Sequence, residues 1–320
     1  MAKNKVFVVI DGNSVAHRAF HAMPALTNKK GEPVGAVYGF VLALFRAVED
    51  FRPDYVAVCF DTKGGTFRNQ EFKDYKAQRP ATAPDLIPQL KIAQDILPDL
   101  GCAIFAKEGF EADDLIASVI KAARDELREI GKDSAGRSID FYVLTGDYDS
   151  LQLVDERVRA FIINRGIKNA VLYDAAKVRE SFGVMPGQIP AFKALAGDSS
   201  DNIPGAPGIG PKAAIEILKK CGNLESAFAA AASVRTDSCL GNGVREQKIK
   251  NIFLENKEKI ISFQKLATMR ADAPLGPVLE KCRFENFAGV RPAAALLELG
   301  LASLAKRLPQ GKISRNGTLF

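Results

Sequence analysis

Nine acidic residues sit where a metal-dependent hydrolase would need them. Asp11 follows the apolar run Val6–Ile10, and Asp61 follows Tyr55–Phe60. Glu111, Asp113 and Asp114 come shortly after Cys102–Ala106, while Asp147 and Asp149 follow Asp140–Leu144. Asp198 and Asp201 lie in Gly197-Asp-Ser-Ser-Asp-Asn202. Carboxylates packed within a few ångströms repel, and some stay protonated unless cations neutralise them. Oxygen donors with no Cys or His among them favour Mg²⁺ or Mn²⁺ over zinc, and His17 and His21 are the only histidines. Two such ions about 4 Å apart would clamp the attacking and leaving oxygens of a phosphodiester displacement and activate water. One Asp after one strand is more often a helix cap or turn residue. Acid at four strand ends together points to a metal site.

Two further features suit a polyanionic substrate. In Thr66-Phe-Arg-Asn-Gln-Glu-Phe-Lys-Asp-Tyr-Lys-Ala-Gln-Arg-Pro80, the bases Arg68, Lys73, Lys76 and Arg79 alternate with Phe67, Phe72 and Tyr75. Bases position phosphates while rings stack on nucleobases; a solvated amphipathic helix is the plainer reading. Arg18, in the helix after Asp11, is placed to reach the site edge or to form a surface salt bridge. Gly205-Ala-Pro-Gly-Ile-Gly-Pro-Lys212 lacks P-loop spacing. It reads as a tight turn between helices whose amides, with Lys212, Lys219 and Lys220, hold one backbone phosphate.

Stepping outward, five short runs rich in β-branched and aromatic residues read as strands: Val6–Ile10, Tyr55–Phe60, Cys102–Ala106, Asp140–Leu144 and Val158–Ile163. Helical patterns over Ala36–Glu49, Pro84–Leu97 and Ala112–Leu127 alternate with them. The expected fold is α/β: a three-layer, mainly parallel sheet with helices on both faces. Its strand C-termini share one edge, which is where such sheets bind ligands. Beyond about residue 175 the pattern turns helical: Gln188–Ala196, Lys212–Lys220, Val244–Leu254, Ile260–Ala267 and Ala293–Leu308. Two domains are expected, 1–175 catalytic and 176–320 helical, with irregular stretches at Gly131–Ser138 and Ala229–Asn242.

Hydrophobic residues make up 47% of the 320, which excludes disorder as the default. No apolar stretch approaches the roughly 20 residues of a membrane helix, and the N-terminus lacks a signal-peptide pattern, so a cytoplasmic protein is expected. The five scattered cysteines, without a CxxC, read as reduced core thiols. Residues 202–320 carry 18 Lys and Arg against 10 Asp and Glu, while residues 1–201 carry 26 against 28. The basic half suits nucleic acid.

Taken together, Val9-Ile-Asp-Gly-Asn13, Cys59-Phe-Asp61, Phe67-Arg68 with Tyr75-Lys-Ala-Gln-Arg79, Phe110-Glu-Ala-Asp-Asp114, Thr145-Gly-Asp-Tyr-Asp149 and Gly197-Asp-Ser-Ser-Asp-Asn-Ile-Pro-Gly205 resemble the 5′-nuclease (flap endonuclease) family. The likeness is strongest to the N-terminal 5′→3′ exonuclease domains of bacterial DNA polymerase I, and it runs to about Leu308. It implies that Asp11, Asp61, Glu111 and Asp113 serve a first metal. Asp147, Asp149 and Asp198 would serve a second, with Asp114 and Asp201 in support. Lys76 and Arg79 match a helical arch that passes a single-stranded 5′ end, and they would steady the scissile phosphate. Arg18 and Arg68 match phosphate contacts. Gly205, Gly208 and Gly210 match a helix-hairpin-helix element that grips duplex DNA and in the family can bind potassium. Tyr148 departs from the family, which usually has a basic residue there. The resemblance implies removal of DNA flaps or primers at a 5′ end, flap or nick by two-metal hydrolysis, in replication and repair. It implies a nucleoid-associated monomer if bacterial, with a polymerase acting in trans or originally attached. The alternatives are a PIN-like ribonuclease, which predicts RNA preference and no glycine turn, and a non-catalytic DNA junction binder, which predicts Mg²⁺-independent binding without product.

Overall fold

Every residue of Val6–Asp11 is buried. An apolar run of that kind belongs to a central strand covered on both faces. The computed structural model describes residues 4–129, 138–164, 169–233, 238–285, 287 and 289–309. The first part of the chain runs β1 (Lys5–Asp11), α1 (Gly12–Ala22), α2 (Gly35–Phe51), β2 (Tyr55–Phe60), α3 (Phe67–Glu71), α4 (Leu86–Ile96), β3 (Ala103–Ala106), α5 (Ala112–Glu129), β4 (Ile139–Thr145), β5 (Val158–Ile162) and β6 (Val171–Tyr173). The helical part follows with α6 (Ala175–Phe182), α7 (Ile189–Ala196), α8 (Pro211–Cys221), α9 (Leu224–Ala232), α10 (Gly243–Glu255), α11 (Lys257–Ala267), α12 (Val290–Glu298) and α13 (Ala302–Ala305).

The sheet order is β3-β2-β1-β4-β5-β6. All pairs are parallel except β5 with β6. The antiparallel β6 is only three residues long and was not among the expected strands. Val6, Val8 and Ile10 face a core shared with α1, α2 and α4, while Phe7 and Val9 face α5. Ala160, Ile162 and Tyr173, at the far edge of the sheet, enter a third core built by the helical part.

Three expectations need correction. The expected helical domain 176–320 does not stay together. After α11 the chain returns to the α/β layers: Val278, Leu279 and Cys282 join the α5 core, and Phe287, Leu296, Leu301, Leu304 and Leu308 join the α2 core. The Glu126 carboxylate fixes this return by accepting from the amides of Val278 (2.5 Å) and Leu279 (3.1 Å). The expected helix Ala293–Leu308 is two helices, because Gly300 turns left-handed (φ 75°) between α12 and α13. Finally, not all thiols are free. Cys221, at the end of α8, is disulfide-bonded to Cys239 in the turn before α10, while Cys59, Cys102 and Cys282 are free and buried. The packing of the helices brings together two cysteines that are 18 residues apart, a proximity that spacing alone does not reveal. Gly131–Ser138 lies, Ser138 apart, outside the described residues, and Ala229–Asn242 is described only in part. Among the described residues no helix is long and apolar enough to cross a membrane.

Candidate active site

β1 and β4 are neighbours, but the chain leaves them in opposite directions across the sheet, towards β2 and β5. The loops diverge at such a switch point and leave a crevice at the C-terminal edge. Asp11 ends β1 in this crevice. Its Oδ1 accepts from Ser14 N (2.9 Å) and so caps α1, and its Oδ2 accepts from the Thr145 hydroxyl of β4 (2.8 Å). Cap and site acid are thus the same residue. Asp61 follows β2; its Oδ1 accepts from Ala112 N (2.7 Å), and its own amide donates to Asn13 Oδ1 (2.9 Å). The same stretch of chain carries Glu111 and Asp113 at the start of α5. Asp147 accepts from Asp149 N (3.0 Å) and starts the 3₁₀ turn after β4.

Asp198 and Asp201 come from the helical part. Asp198 and Ile203 exchange two backbone hydrogen bonds of 2.8 Å each, closing a tight loop. Gly197 (φ 84°) and Gly205 (φ 76°) meet beneath it. A Cβ on Gly205 would lie 2.4 Å from the Gly197 nitrogen, so only glycine fits there. Asp149, Asp198 and Asp201 each offer an oxygen within 4.8 Å of the others.

Burial and neighbouring charges shift four of the acids. Burial pushes Asp11 up to about 7, with Asp61 and Asp147 adding repulsion, against the bonds from Ser14 and Thr145. Asp149 is also pushed to about 7 by burial, and Lys193 offsets part of the repulsion from Asp147 and Asp201. Asp113 is raised well above the carboxylate range by burial and by Asp11, Asp147 and Asp149. Its Oδ1 is buried with no hydrogen-bond partner. An orphaned carboxylate oxygen among like charges is stabilised by a cation. The donors are all oxygen, so the site fits Mg²⁺ or Mn²⁺.

Besides Arg68, 3.8 Å from Glu111, three basic side chains already rest on these acids. Lys76 Nζ is 2.7 Å from Glu111, and Arg79 donates to Asp201 at 2.9 Å. Lys193, on α7, lies against both Asp149 and Asp198. The contact with Asp198 Oδ2 is one of charge without hydrogen-bond geometry. Burial raises the Asp198 carboxyl, but Lys193 and Ser200 outweigh it and hold the group near 2. Sequence reasoning missed Lys193, since a lysine in an ordinary amphipathic helix carries no signal.

Other expected roles change. Arg68 and Asp114 face each other. Their side chains are 3% and 0% exposed and form a two-pronged pair at 2.7 and 2.8 Å. Asp114 also accepts from the amide of Arg270 (2.8 Å). The pair ties α3 to α5 and to the returning C-terminal chain, so Asp114 leaves the ligand set and Arg68 the phosphate contacts. Tyr75 is 4% exposed and does not stack on solvent-side bases; its hydroxyl lies 3.1 Å from Asp201 and 3.3 Å from Glu111. The basic segment is a single short helix, α3, followed by turns packed on the Asp198–Ile203 loop, with Lys76 N donating to Asp201 O (3.1 Å). Arg18 is exposed and donates to Gly146 O (2.8 Å), bracing the turn that carries Asp147. Tyr148 packs against Tyr173 and Phe182 and donates to Asn164 (2.9 Å). Gly208 (φ 78°) and Gly210 form the turn before α8, and Gly210 caps that helix. Lys212, Lys219 and Lys220 are exposed along α8.

Comparison with known proteins gives a consistent picture. Residues 6–183 match the model of the 5′-3′ exonuclease N-terminal resolvase-like domain. Residues 184–289 match that of the 5′-3′ exonuclease C-terminal SAM fold. The chain is 34% identical to DNA polymerase I of Bacillus subtilis over 96% of its length, and 36% identical to that of Caldicellulosiruptor bescii over 94%. It spans about a third of the length of these relatives, 33% in each case. In fold it resembles the bacteriophage T5 D15 flap endonuclease, solved as a variant with DNA and metal ions (TM-score 0.65, 18% identity, 94% of this chain and 100% of that one). It also resembles the catalytic core of Rad2 solved with DNA substrate (TM-score 0.52, 14% identity, 96% and 88%).

Proposed function

This chain belongs to the 5′-3′ exonuclease family, and on that premise we propose that it is a metal-dependent nuclease whose acid edge hydrolyses DNA phosphodiesters at a 5′ end, nick or flap junction. The observation that carries the reading is the orphaned, buried Asp113 Oδ1 amid acids at a sheet switch point. Asp11, Asp61, Glu111 and Asp113 would hold one divalent ion, Mg²⁺ or Mn²⁺. Asp149, Asp198 and Asp201 would hold another, with Asp147 between the two groups. When bound, such ions neutralise the acids, lower the pKa of water and offset charge on the phosphate.

The rest is the work of side chains. The Thr145 hydroxyl and Ser14 amide orient Asp11, and the Ala112 amide orients Asp61. Lys76 and Arg79 give up Glu111 and Asp201 for the phosphates flanking the cut. Tyr75 stays beneath, spacing those two acids. Arg18 holds the Thr145–Asp147 turn. The Gly205–Gly210 turn, the N-terminus of α8 and Lys212 grip one duplex backbone without reading sequence, and a potassium ion at that turn belongs to the same proposal. The reading takes the protein as a monomer that works with a DNA polymerase, whether in trans or in the same chain.

The test is a labelled 5′-flap duplex with Mg²⁺, with chelator, and with Asp147→Asn. Cleavage that needs Mg²⁺ and is lost in the variant supports the reading. Binding without product, or cutting that survives the variant, overturns it, and a preference for RNA moves the protein to ribonuclease chemistry.

A further inference from the structure

Lys193 differs from the other cations at the acid edge in what holds it. Lys76 and Arg79 lie on turns after α3. Lys193 lies within α7, whose Ile189, Ala191, Ala194 and Leu195 are buried in the helical core. Its backbone is therefore fixed, and its ammonium can leave the acids only by rotation of the side chain. That ammonium sits between Asp149 and Asp198. With Asp201, these are the acids whose oxygens come within 4.8 Å of one another. The three side chains are 16%, 13% and 11% exposed for Asp149, Lys193 and Asp198, so water screens the contacts weakly. An ammonium and a divalent ion cannot share the same two oxygens, because their charges repel at that distance. On the Asp11 and Asp113 side the cations reach Glu111: Lys76, on a turn, at 2.7 Å, and Arg68, already paired with Asp114, at 3.8 Å; Asp113 Oδ1 is unpartnered.

Building on the metal-nuclease reading, we propose that Lys193 is the internal counter-ion of the Asp149–Asp198–Asp201 position, and that a divalent ion binds there only by displacing its ammonium group. The two metal positions then load in order. The position at Asp11, Asp61, Glu111 and Asp113 fills first, and the position guarded by Lys193 fills later and more weakly. Lys193 is a positioning residue, since in the absence of metal it prevents Asp149 and Asp198 from repelling one another.

The experiment titrates Mn²⁺ into the full chain without DNA and counts free ion by its paramagnetic resonance signal. Wild type is expected to bind two ions, the second at least about tenfold more weakly. Lys193→Met removes the charge and keeps the length, and it should tighten the second ion about tenfold and leave the first unchanged. Lys193→Arg keeps the competing charge and should behave as wild type. Thermal unfolding adds an independent readout: Lys193→Met should be less stable than wild type without metal and gain more from Mn²⁺. Two equal sites in wild type overturn the inference without recourse to any variant. So does a folded Lys193→Met whose second ion binds no more tightly, or a Lys193→Arg that matches Lys193→Met. If none of the three proteins binds Mn²⁺, the metal-site reading fails along with it.

Discussion

The acid edge is assembled in two ways. Asp11, Asp61, Glu111 and Asp113 belong to the sheet and to the start of α5. Strand ends place them, and backbone amides or the Thr145 hydroxyl orient Asp11 and Asp61. The Asp149–Asp198–Asp201 group is divided between a turn after β4 and a loop of the helical part, and a lysine bridges the division. In the first group Lys76 and Arg68 reach Glu111 while Asp113 Oδ1 has no partner; in the second, Lys193 and Arg79 rest on all three acids. Two positions of one site can thus be tuned separately, the first by the register of the sheet and the second by the seating of the helical part.

The most severe way to break this contrast is Asp113→Asn. It removes the negative charge of the carboxyl group whose Oδ1 lacks a partner. Activity should fall on the order of 10³-fold, the upper range for one electrostatic group. The melting temperature without metal should not fall, because a buried carboxyl raised by its neighbours becomes neutral. A parallel loss of stability and activity would mean that Asp113 is structural.

Next comes Arg68→Met, which uncovers Asp114 and should cost about 4 kcal/mol of stability, the usual price of breaking a buried ion pair. The double variant Arg68→Met with Asp114→Leu should recover most of it. Chemical denaturation decides the matter. If DNA affinity falls while stability holds, Arg68 is a phosphate contact after all.

The mildest expected effect is Thr145→Val. It removes the hydrogen bond to Asp11 and the acceptor of the Asp147 amide, and should weaken metal binding about tenfold, the lower end for a residue that orients a ligand. Calorimetry with Mn²⁺ should show that loss at the tighter position alone. A loss confined to the weaker position would merge the two groups.

The first group was legible in the chain because a parallel sheet converts sequence order into place: acid after each apolar run means acid along one edge. Asp198 and Asp201 were legible only as a motif, since no periodicity brings their loop to the sheet. Other features depended on distant partners. Asp114 reads like a ligand beside Asp113, yet Arg68, 46 residues away, claims it. Tyr75 alternates with bases as a stacking ring would, but its hydroxyl is drawn down to Glu111 and Asp201. Lys193 and the Cys221–Cys239 bond have no local signature, since each depends on a partner that tertiary packing supplies: Asp149, from the turn after β4, for Lys193, and the turn before α10 for Cys221.

The contact between Gly197 and Gly205 has a consequence for measurement. On one side of it hang Asp198 and Asp201; on the other begins the turn proposed to grip duplex DNA. With no room for even a methyl group between the two strands of that loop, the grip and the acids move as a single casting. If the turn grips duplex DNA as proposed, the position of the cut would be set by its distance from the paired region.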